Sequence, residues 1–282
     1  MTRKEGHLRG VGELGIYWQA WLPDHEPRGV VVVSHGAGEH SGRYRHVAAR
    51  LVSEGHAVYA IDHRGHGRSD GPRALIDRID NAVADLAALV ALAADELPGK
   101  PLFLLGHSMG GTIAVCFALR HQQRLAGLIL SGPLAAIEGT SPAQRTAGRL
   151  ISALAPRLPL VAIDPNLISS DTAVVRAYRS DPLVHHRKLP ARTAAELVAA
   201  VERFPQQVAS IRVPTLIAYG TGDRLCPPAG SVMLGERIGA HDKTLNGYEG
   251  LAHEVLNEPE QERVLDDICA WLTAHTVQAL PA

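Results

Sequence analysis

Apolar runs and amphipathic segments alternate along most of the chain. Five short apolar runs have the length and aliphatic content of strands buried on both faces: residues 29–36, 56–62, 101–107, 125–132 and 214–220. Segments with a helical spacing of apolar residues follow or lie between them: residues 42–55, 76–97, 111–121, 229–239 and 261–275. Residues 12–23 and 241–248 are two further predicted strands. This alternation predicts a mostly parallel central sheet with helices on both faces.

The alternation is interrupted between residues 133 and 212. This stretch of roughly 80 residues has little strand character and is much longer than the few residues that usually join elements of an α/β domain. We therefore expect a separate helical layer that covers the sheet. The predicted core consists of residues 1–132 and 213–282, and the predicted cap of residues 133–212.

The first half of the predicted cap contains an amphipathic helix at residues 145–158. One face of this helix is apolar, and arginines interrupt the other side. The apolar positions are Ala147, Leu150, Ile151, Leu154 and Leu158, and the arginines are Arg145, Arg149 and Arg157. Two interpretations stay open, because the apolar face can pack on the rest of the protein or form a lid surface that contacts lipid.

Composition narrows the classes of function. The chain has 28 Lys and Arg against 29 Asp and Glu, a net charge of -1, so we expect no nucleic-acid partner. The three cysteines, Cys116, Cys226 and Cys269, show no paired spacing, which favours a reducing compartment and neither disulfides nor a structural zinc site. The first residues lack the apolar core of a signal peptide, and no run approaches the ~18 apolar residues of a membrane span. We expect a soluble, cytoplasmic protein, and its oligomeric state is left open.

A candidate nucleophile lies between a predicted buried strand and a predicted helix. Gly106-His107-Ser108-Met109-Gly110 matches the pattern G-x-S-x-G. In this context the serine occupies a strained turn that exposes its hydroxyl, and the flanking glycines allow neighbouring elements to approach closely. A serine that only caps the helix is the alternative, but that role leaves the two glycines unexplained.

A serine nucleophile needs a histidine base and a carboxylate that orients the histidine. In hydrolases with this turn the chain order is serine, acid, histidine. Asp223 follows the predicted strand 214–220 in a glycine-flanked turn, and His253 follows the predicted strand 241–248. An aspartate in such a turn can instead bond only to its own backbone, which is the alternative for Asp223. The chain has 15 histidines, and only the position of His253 after the last predicted strand distinguishes it from the others.

The negative charge that develops on the attacked carbonyl oxygen needs hydrogen-bond donors. The backbone N–H of Met109, directly after the nucleophile, is the first candidate. The second is the backbone N–H of Ala37, in the loop after the first buried strand, where Gly36 and Gly38 allow the amide to point inward. A plain turn would also use these glycines.

Six blocks, taken in order, resemble one family. They are SHGAGEHSGRY at 34–44, DHRGHGRSDG at 62–71, LGHSMGG at 105–111, YRSDPL at 178–183, GTGDRLC at 220–226 and YEGLAHEV at 248–255. They resemble the monoacylglycerol lipases of the α/β-hydrolase superfamily, in a bacterial-type member, and they cover nearly the whole chain. The second and third blocks are shared by many hydrolases, whereas HGAGEHSGRY and GDRLC are more specific. The resemblance implies an α/β-hydrolase fold, the same three catalytic residues and the same oxyanion donors.

The resemblance also implies roles that the residues alone do not. Glu39 and Arg43 would lie near the site of the glycerol hydroxyls, although they can equally form a local ion pair. Tyr178 in the predicted cap would help to position the leaving alcohol. Cys226 matches a cysteine near the active site that makes some members thiol-sensitive, although it can also be a packing residue. Mammalian members carry a second histidine where this chain has Leu256, which weakens the expectation of identical head-group recognition.

The expected activity is hydrolysis of monoacylglycerols through an acyl-enzyme, a reaction that needs no metal and no organic cofactor. The expected partner is a small lipid ester, with contact to a membrane or micelle through the cap as an open alternative. A general carboxylesterase or a lysophospholipase with the same triad is the alternative within enzymes. A non-catalytic binding protein with this fold is the alternative outside them.

Overall fold

The computed structural model describes the backbone of residues 1–279 and the side chains of residues 1–276, so residues 280–282 of the predicted core lie outside the described part. The strands are β1 (Thr2–Arg9), β2 (Gly15–Leu22), β3 (Gly29–Ser34), β4 (His56–Ile61), β5 (Leu102–His107), β6 (Gly127–Ser131), β7 (Pro159–Val161), β8 (Leu189–Pro190), β9 (Thr215–Gly220) and β10 (Lys243–Tyr248). The helices are α1 (Arg45–Ser53), α2 (Ile79–Glu96), α3 (Met109–His121), α4 (Pro142–Leu154), α5 (Thr172–Ser180), α6 (Ala191–Val201), α7 (Phe204–Gln207), α8 (Pro228–Arg237) and α9 (Gln261–Ala279).

Most of the strands form a single eight-stranded sheet in the order β1-β2-β4-β3-β5-β6-β9-β10. All neighbours from β4 to β10 are parallel, and β1 and β2 extend one edge in antiparallel pairing. The predicted mostly parallel sheet is therefore confirmed. Because parallel strands end at the same edge, the loops that follow β3, β5, β6, β9 and β10 meet there.

Both faces of the sheet are buried, as the valine run of β3 illustrates. Val30 and Val32 belong to the hydrophobic cluster that includes residues of α2 and α3. Val31 and Val33 point to the other face, into the cluster with α1 and α9. Alternate side chains of a strand face opposite sides, so a continuous apolar run suits a strand that helices cover on both sides.

The sequence pattern missed β1. Its residues, TRKEGHLR, are mostly polar and exposed, and they pair with only one neighbour at the sheet edge. An edge strand of this kind buries too little apolar surface to produce a period-two pattern.

The predicted cap, residues 133–212, lies between β6 and β9 and contains α4 to α7 and the short pair β7 and β8. Ile168, Tyr178 and Val184 form a small hydrophobic cluster of their own. Leu197 and Phe204 belong instead to the cluster formed by the sheet, α2 and α3. The part from α6 onward is therefore packed into the main core, as is Ala135 near the start of this stretch.

Helix α4 differs from the sequence prediction in two ways. It ends at Leu154 rather than near Leu158, because Pro156 disfavours the helical conformation of the residue before it. The interpretation that its apolar face packs on the protein is wrong for Leu150 and Leu154, which are 60% and 79% exposed. The buried residue of the helix is Ser152, and Ile151 is half-buried.

Over the described residues, the helices are all too short or too polar to cross a bilayer.

Candidate active site

The turn between β5 and α3 carries Ser108 in an unusual backbone conformation. Its φ is 53° and its ψ is -120°, a region that costs a non-glycine residue conformational energy. A Cβ atom on Gly106 would lie 2.5 Å from the carbonyl oxygen of Gly110, and one on Gly110 would overlap the carbonyl oxygen of Ser34. The two glycines are therefore required by close approach of α3 to β5 and β3, as the sequence pattern predicted.

The loops after β9 and β10 bring Asp223 and His253 together. Nδ1 of His253 lies 2.8 Å from Oδ2 of Asp223, and both side chains are buried. Oδ1 of Asp223 accepts hydrogen bonds from the backbone N–H groups of Leu225 and Cys226, at 2.8 and 2.9 Å. These bonds orient the carboxylate so that Oδ2 accepts from His253, which places the proton on Nδ1 and leaves Nε2 as the free nitrogen.

The surroundings of His253 act on its basicity in opposite directions. Burial lowers the pKa of His253, whereas the hydrogen bond to Asp223 and the negative charge of that carboxylate raise it, and the net pKa is above its usual value. A raised pKa makes the imidazole a stronger base. The ring of His107 lies 4.7 Å from that of His253, and burial, followed by the charge of His253, lowers the pKa of His107.

The hydroxyl of Ser108 lies at the same edge of the sheet, 3.8 Å from Sγ of Cys226. Among the hydrogen bonds of the described residues, Ser108 Oγ has none to His253. Hydrogen bonds between a nucleophile and its base are often long in free enzymes and shorten when substrate binds. A rotation about the Cα–Cβ bond of Ser108 moves the hydroxyl away from the sulfur.

Ala37 and Met109, whose backbone N–H groups are the predicted oxyanion donors, line the same cavity as Ser108. Within residues 1–276, neither the N–H of Ala37 nor that of Met109 donates a hydrogen bond to the protein. Met109 is the first residue of α3, where backbone N–H groups have no partner in the helix and carry partial positive charge. The two amides are therefore free to bind an oxygen.

Glu39 and Arg43 form more than the local ion pair that the sequence left open. Nη1 of Arg43 lies 2.6 Å from Glu39, and its guanidinium also binds both carboxylate oxygens of Glu254, at 2.6 and 2.8 Å. Glu39 accepts hydrogen bonds from the Tyr44 hydroxyl and from the backbone N–H of Gly36. Burial raises the pKa of the Glu39 carboxyl, but Arg43 and the neighbouring histidines outweigh burial and lower it to about 2.

Tyr178 reaches this network from α5. The guanidinium of Arg43 lies 4.9 Å from the centre of the Tyr178 ring. Within the described part of the chain the Tyr178 hydroxyl makes no hydrogen bond, although the side chain is buried. Two contacts fix this part of the predicted cap to the loop after β3: His40 Nε2 lies 2.8 Å from Asp181, and the backbone N–H of His185 donates to the carbonyl of Gly38.

A cavity of about 650 Å³ joins these groups. Its lining residues include Ser108, Ala37, Met109 and His253, together with the acidic residues Glu39 and Glu254. Most of the remaining wall is apolar and comes from the predicted cap, with Ile137, Ile163, Ile168, Leu197 and Val198 among its residues. An apolar cavity with a few converging polar groups is typical of a site for a small amphipathic molecule.

The sequence analysis did not identify Glu254 or Tyr44 as site residues, and it did not predict the contact between His107 and His253. Glu254 lies directly after His253 in the chain, and that adjacency was the available signal. Its partner Arg43 is 211 residues away, so the ion pair depends on the tertiary fold. Cys226 was noted only through the family resemblance, and the structure places its sulfur beside the nucleophile.

Comparisons with known proteins agree with this geometry. The model of the family described as "Serine aminopeptidase, S33" matches residues 25–260. A monoacylglycerol lipase of Mycolicibacterium smegmatis is 44% identical over 97% of this chain and 98% of its own. The human monoglyceride lipase is 36% identical over 97% of this chain and 91% of its own.

A solved structure extends the likeness to three dimensions. The monoacylglycerol lipase of Paleococcus ferrophilus matches with a TM-score of 0.84 and 32% identity, over 92% of this chain and 99% of that one. Identity at this level over nearly full lengths, in sequence and in fold, goes beyond a shared architecture. The chain therefore belongs to the monoacylglycerol lipase family of the α/β-hydrolase superfamily.

Proposed function

We propose that the protein hydrolyses monoacylglycerols to a free fatty acid and glycerol, with Ser108 as nucleophile, His253 as general base and acid, and Asp223 as the group that orients the histidine. The observation that carries the proposal is the 2.8 Å contact of Asp223 with His253, which lines the same cavity as Ser108. Family membership supports the same assignment.

The reaction proceeds in two halves. His253 Nε2 takes the proton of the Ser108 hydroxyl as its oxygen attacks the ester carbonyl, and the tetrahedral oxyanion is bound by the N–H groups of Ala37 and Met109. His253 then protonates the glycerol oxygen, which leaves with the electron pair of the broken C–O bond. Water, deprotonated by His253, attacks the acyl-enzyme in the same way and releases the fatty acid.

The cavity supports a substrate with one acyl chain. Its apolar wall is formed largely by residues of the predicted cap, and we take residues 133–212 as the element that determines substrate choice. A volume of about 650 Å³ accommodates one long acyl chain and leaves little space for the second and third chains of a triacylglycerol. Burial of the chain drives binding in proportion to the apolar area removed from water.

The charged side of the cavity supports a polyol as leaving group. Glu39 and Glu254 accept hydrogen bonds from glycerol hydroxyls, and Arg43 holds both carboxylates in position. The free hydroxyl of Tyr178 provides a further donor or acceptor. These assignments for Glu39, Arg43 and Tyr178 rest on their place in the cavity or directly behind its wall.

The exposed apolar residues of α4 support contact with lipid. Leu150 and Leu154 are joined on the surface by Leu158, Leu160 and Val161, and Val161 also lines the cavity. An apolar surface flanked by arginine suits the interface of a membrane or micelle. We propose that this surface, residues 150–161, brings the cavity to the lipid that holds the substrate, in a protein of the cytoplasm.

The test is kcat/KM for monooleoylglycerol, triolein, a lysophosphatidylcholine and a short p-nitrophenyl ester. We expect monooleoylglycerol to be preferred over all three, and Ser108→Ala to lower kcat by about 10⁶. Equal kcat/KM values for triolein and monooleoylglycerol would contradict the proposal that the cavity accepts only one acyl chain. Activity on the short ester alone would be consistent with the proposed triad but would indicate a general carboxylesterase. A rate unaffected by Ser108→Ala would overturn the mechanism.

A further inference from the structure

A cluster of metal-ligating groups adjoins the cavity, which two of its three residues, Cys226 and His253, line. Among the described residues, Asp223, Cys226 and His253 each offer one ligand atom, and these atoms all lie within 4.8 Å of one another. All three residues are buried. The proposed reaction uses Asp223 and His253 but gives no role to the thiol of Cys226.

The hydrogen bonds of the cluster decide which atoms are available. Both oxygens of Asp223 are engaged, Oδ1 by two backbone N–H groups and Oδ2 by Nδ1 of His253. Nε2 of His253 and Sγ of Cys226 therefore remain available to bind a metal ion. The hydroxyl of Ser108 lies 3.8 Å from that sulfur. A histidine whose other nitrogen is held by a carboxylate is the usual arrangement around protein-bound zinc, because the carboxylate fixes the tautomer and raises the basicity of the ligating nitrogen.

The donor set selects a class of metal. Thiolate and imidazole prefer Zn²⁺ and its heavier analogue Cd²⁺, whereas Mg²⁺ and Ca²⁺ prefer oxygen ligands. Open zinc sites typically have three protein ligands and a fourth position taken by solvent, and Cys226, His253 and Ser108 are the three groups available here. The cavity above Ser108 provides the route of entry and the space for a bound water.

We propose that Zn²⁺ binds reversibly to Sγ of Cys226 and Nε2 of His253, with Ser108 Oγ as a further oxygen ligand, and that the bound ion inhibits the enzyme. On binding, the Cys226 thiol releases its proton to solvent and the neutral imidazole donates the lone pair of Nε2 to the ion. His253 can then take no proton from Ser108. Dissociation of the ion and reprotonation of the sulfur restore the resting site.

Binding is tested without substrate, so this arm does not depend on the proposed function. The probe is Cd²⁺, added to the full-length protein, and the signal is the ultraviolet charge-transfer absorption of a Cd²⁺–thiolate bond. We expect the band in the wild type and its loss in both Cys226→Ser and Cys226→Ala. Cys269→Ser is the matched control, because Cys269 is also buried but lies on α9 in the hydrophobic cluster that includes Val31 and Val33 of β3, and it should keep the band.

Inhibition is measured with Zn²⁺ on a short p-nitrophenyl ester, with each variant compared with its own rate in EDTA. Loss of a residue that only hydrogen-bonds to a metal ligand weakens metal binding by roughly 10- to 100-fold. Loss of the ligating thiol in Cys226→Ser should therefore raise the Zn²⁺ concentration that gives half-maximal inhibition by at least that factor. EDTA should restore the wild-type rate, and Mg²⁺ should not inhibit. Equal sensitivity of wild type and Cys226→Ser, a Cd²⁺ band that survives in Cys226→Ser, or no band in the wild type would each overturn the proposal.

Discussion

The guanidinium of Arg43 binds both oxygens of Glu254 and one oxygen of Glu39, although the two glutamates lie in loops at opposite ends of the sequence. One of these loops carries Ala37 and the other carries His253. A single buried cation therefore joins the loop of the proposed oxyanion donor to the loop of the proposed base. A buried ion network is costly to break, because removal of one member leaves the others desolvated and unpaired.

Arg43→Met should destabilise the protein strongly, because it leaves the Glu39 and Glu254 carboxylates buried without a cation. Breaking a buried pair costs about 3–5 kcal/mol. Arg50→Met is the matched control, since Arg50 pairs with Glu54 and Asp266 at the surface, where such pairs contribute about 1 kcal/mol or less. Urea unfolding of both variants measures the difference, and equal losses would show that the buried network contributes no more than a surface pair.

The same network carries two negative charges against one positive charge, so the polar side of the cavity should disfavour anionic head groups. Glu254→Gln keeps the size of the side chain and removes one charge. We expect this variant to improve kcat/KM for a lysophosphatidate relative to a monoacylglycerol by roughly tenfold, which equals about 1.4 kcal/mol. The two specificity constants are measured side by side in wild type and variant. An unchanged ratio would exclude a charge-based preference.

Asp223→Asn should remove most of the activity and alter its pH dependence. An amide at this position favours the wrong tautomer of the histidine, and the corresponding change in a Ser-His-Asp triad lowers kcat by about 10⁴. Loss of the carboxylate also removes one cause of the raised pKa of His253. The acidic limb of the profile of kcat/KM should therefore move to lower pH. A profile that keeps its acidic limb would mean that another group controls the protonation of the base.

Leu150 and Leu154 should contribute to membrane binding and little to stability. Leu150→Ser together with Leu154→Ser should reduce co-sedimentation with liposomes, and substitutions at such exposed positions change stability by about 0.5 kcal/mol or less. Leu245→Ser is the control, because Leu245 is an exposed leucine on β10, outside the predicted cap. Equal liposome binding by the wild type and the double variant would contradict the proposal that this surface contacts lipid.

How far the sequence predicts this molecule depends on the range of the interactions involved. Ser108, Asp223 and His253 each follow a strand whose apolar pattern is local, so their common edge of the sheet could be predicted from chain order. The pairing of Arg43 with Glu254 depends on contacts between distant loops and left no local pattern. The amphipathic pattern showed that α4 has an apolar face. Whether that face points toward the protein or toward solvent is set by tertiary packing, which the local pattern does not contain.

Five buried histidines should make the protein sensitive to mild acid. Burial is the main cause that lowers the pKa values of His35, His56, His63, His66 and His107, and that of His66 falls to about 3. The rings of His63 and His66 lie 4.7 and 5.3 Å from that of His35, so each disfavours charge on its neighbour.

The direction follows from the protons bound in each state. Unfolded histidine has a pKa of about 6.5, so below that pH the unfolded chain binds protons that the folded protein excludes. The stabilisation is complete above about pH 6.5 and is lost progressively as the pH falls toward the folded values. Each histidine contributes a slope of at most about 1.4 kcal/mol per pH unit to the free energy of unfolding.

Urea unfolding between pH 7.5 and 5 measures this slope, in a range where most carboxylates are still ionised. His66→Gln should reduce the slope, because it removes one titrating group and keeps a side-chain donor for the carbonyl of Arg64, which now lies 2.9 Å from His66 Nδ1. His7→Gln, at an exposed position of β1, is the matched control. If both variants have the slope of the wild type, the buried histidine cluster does not cause the sensitivity to acid.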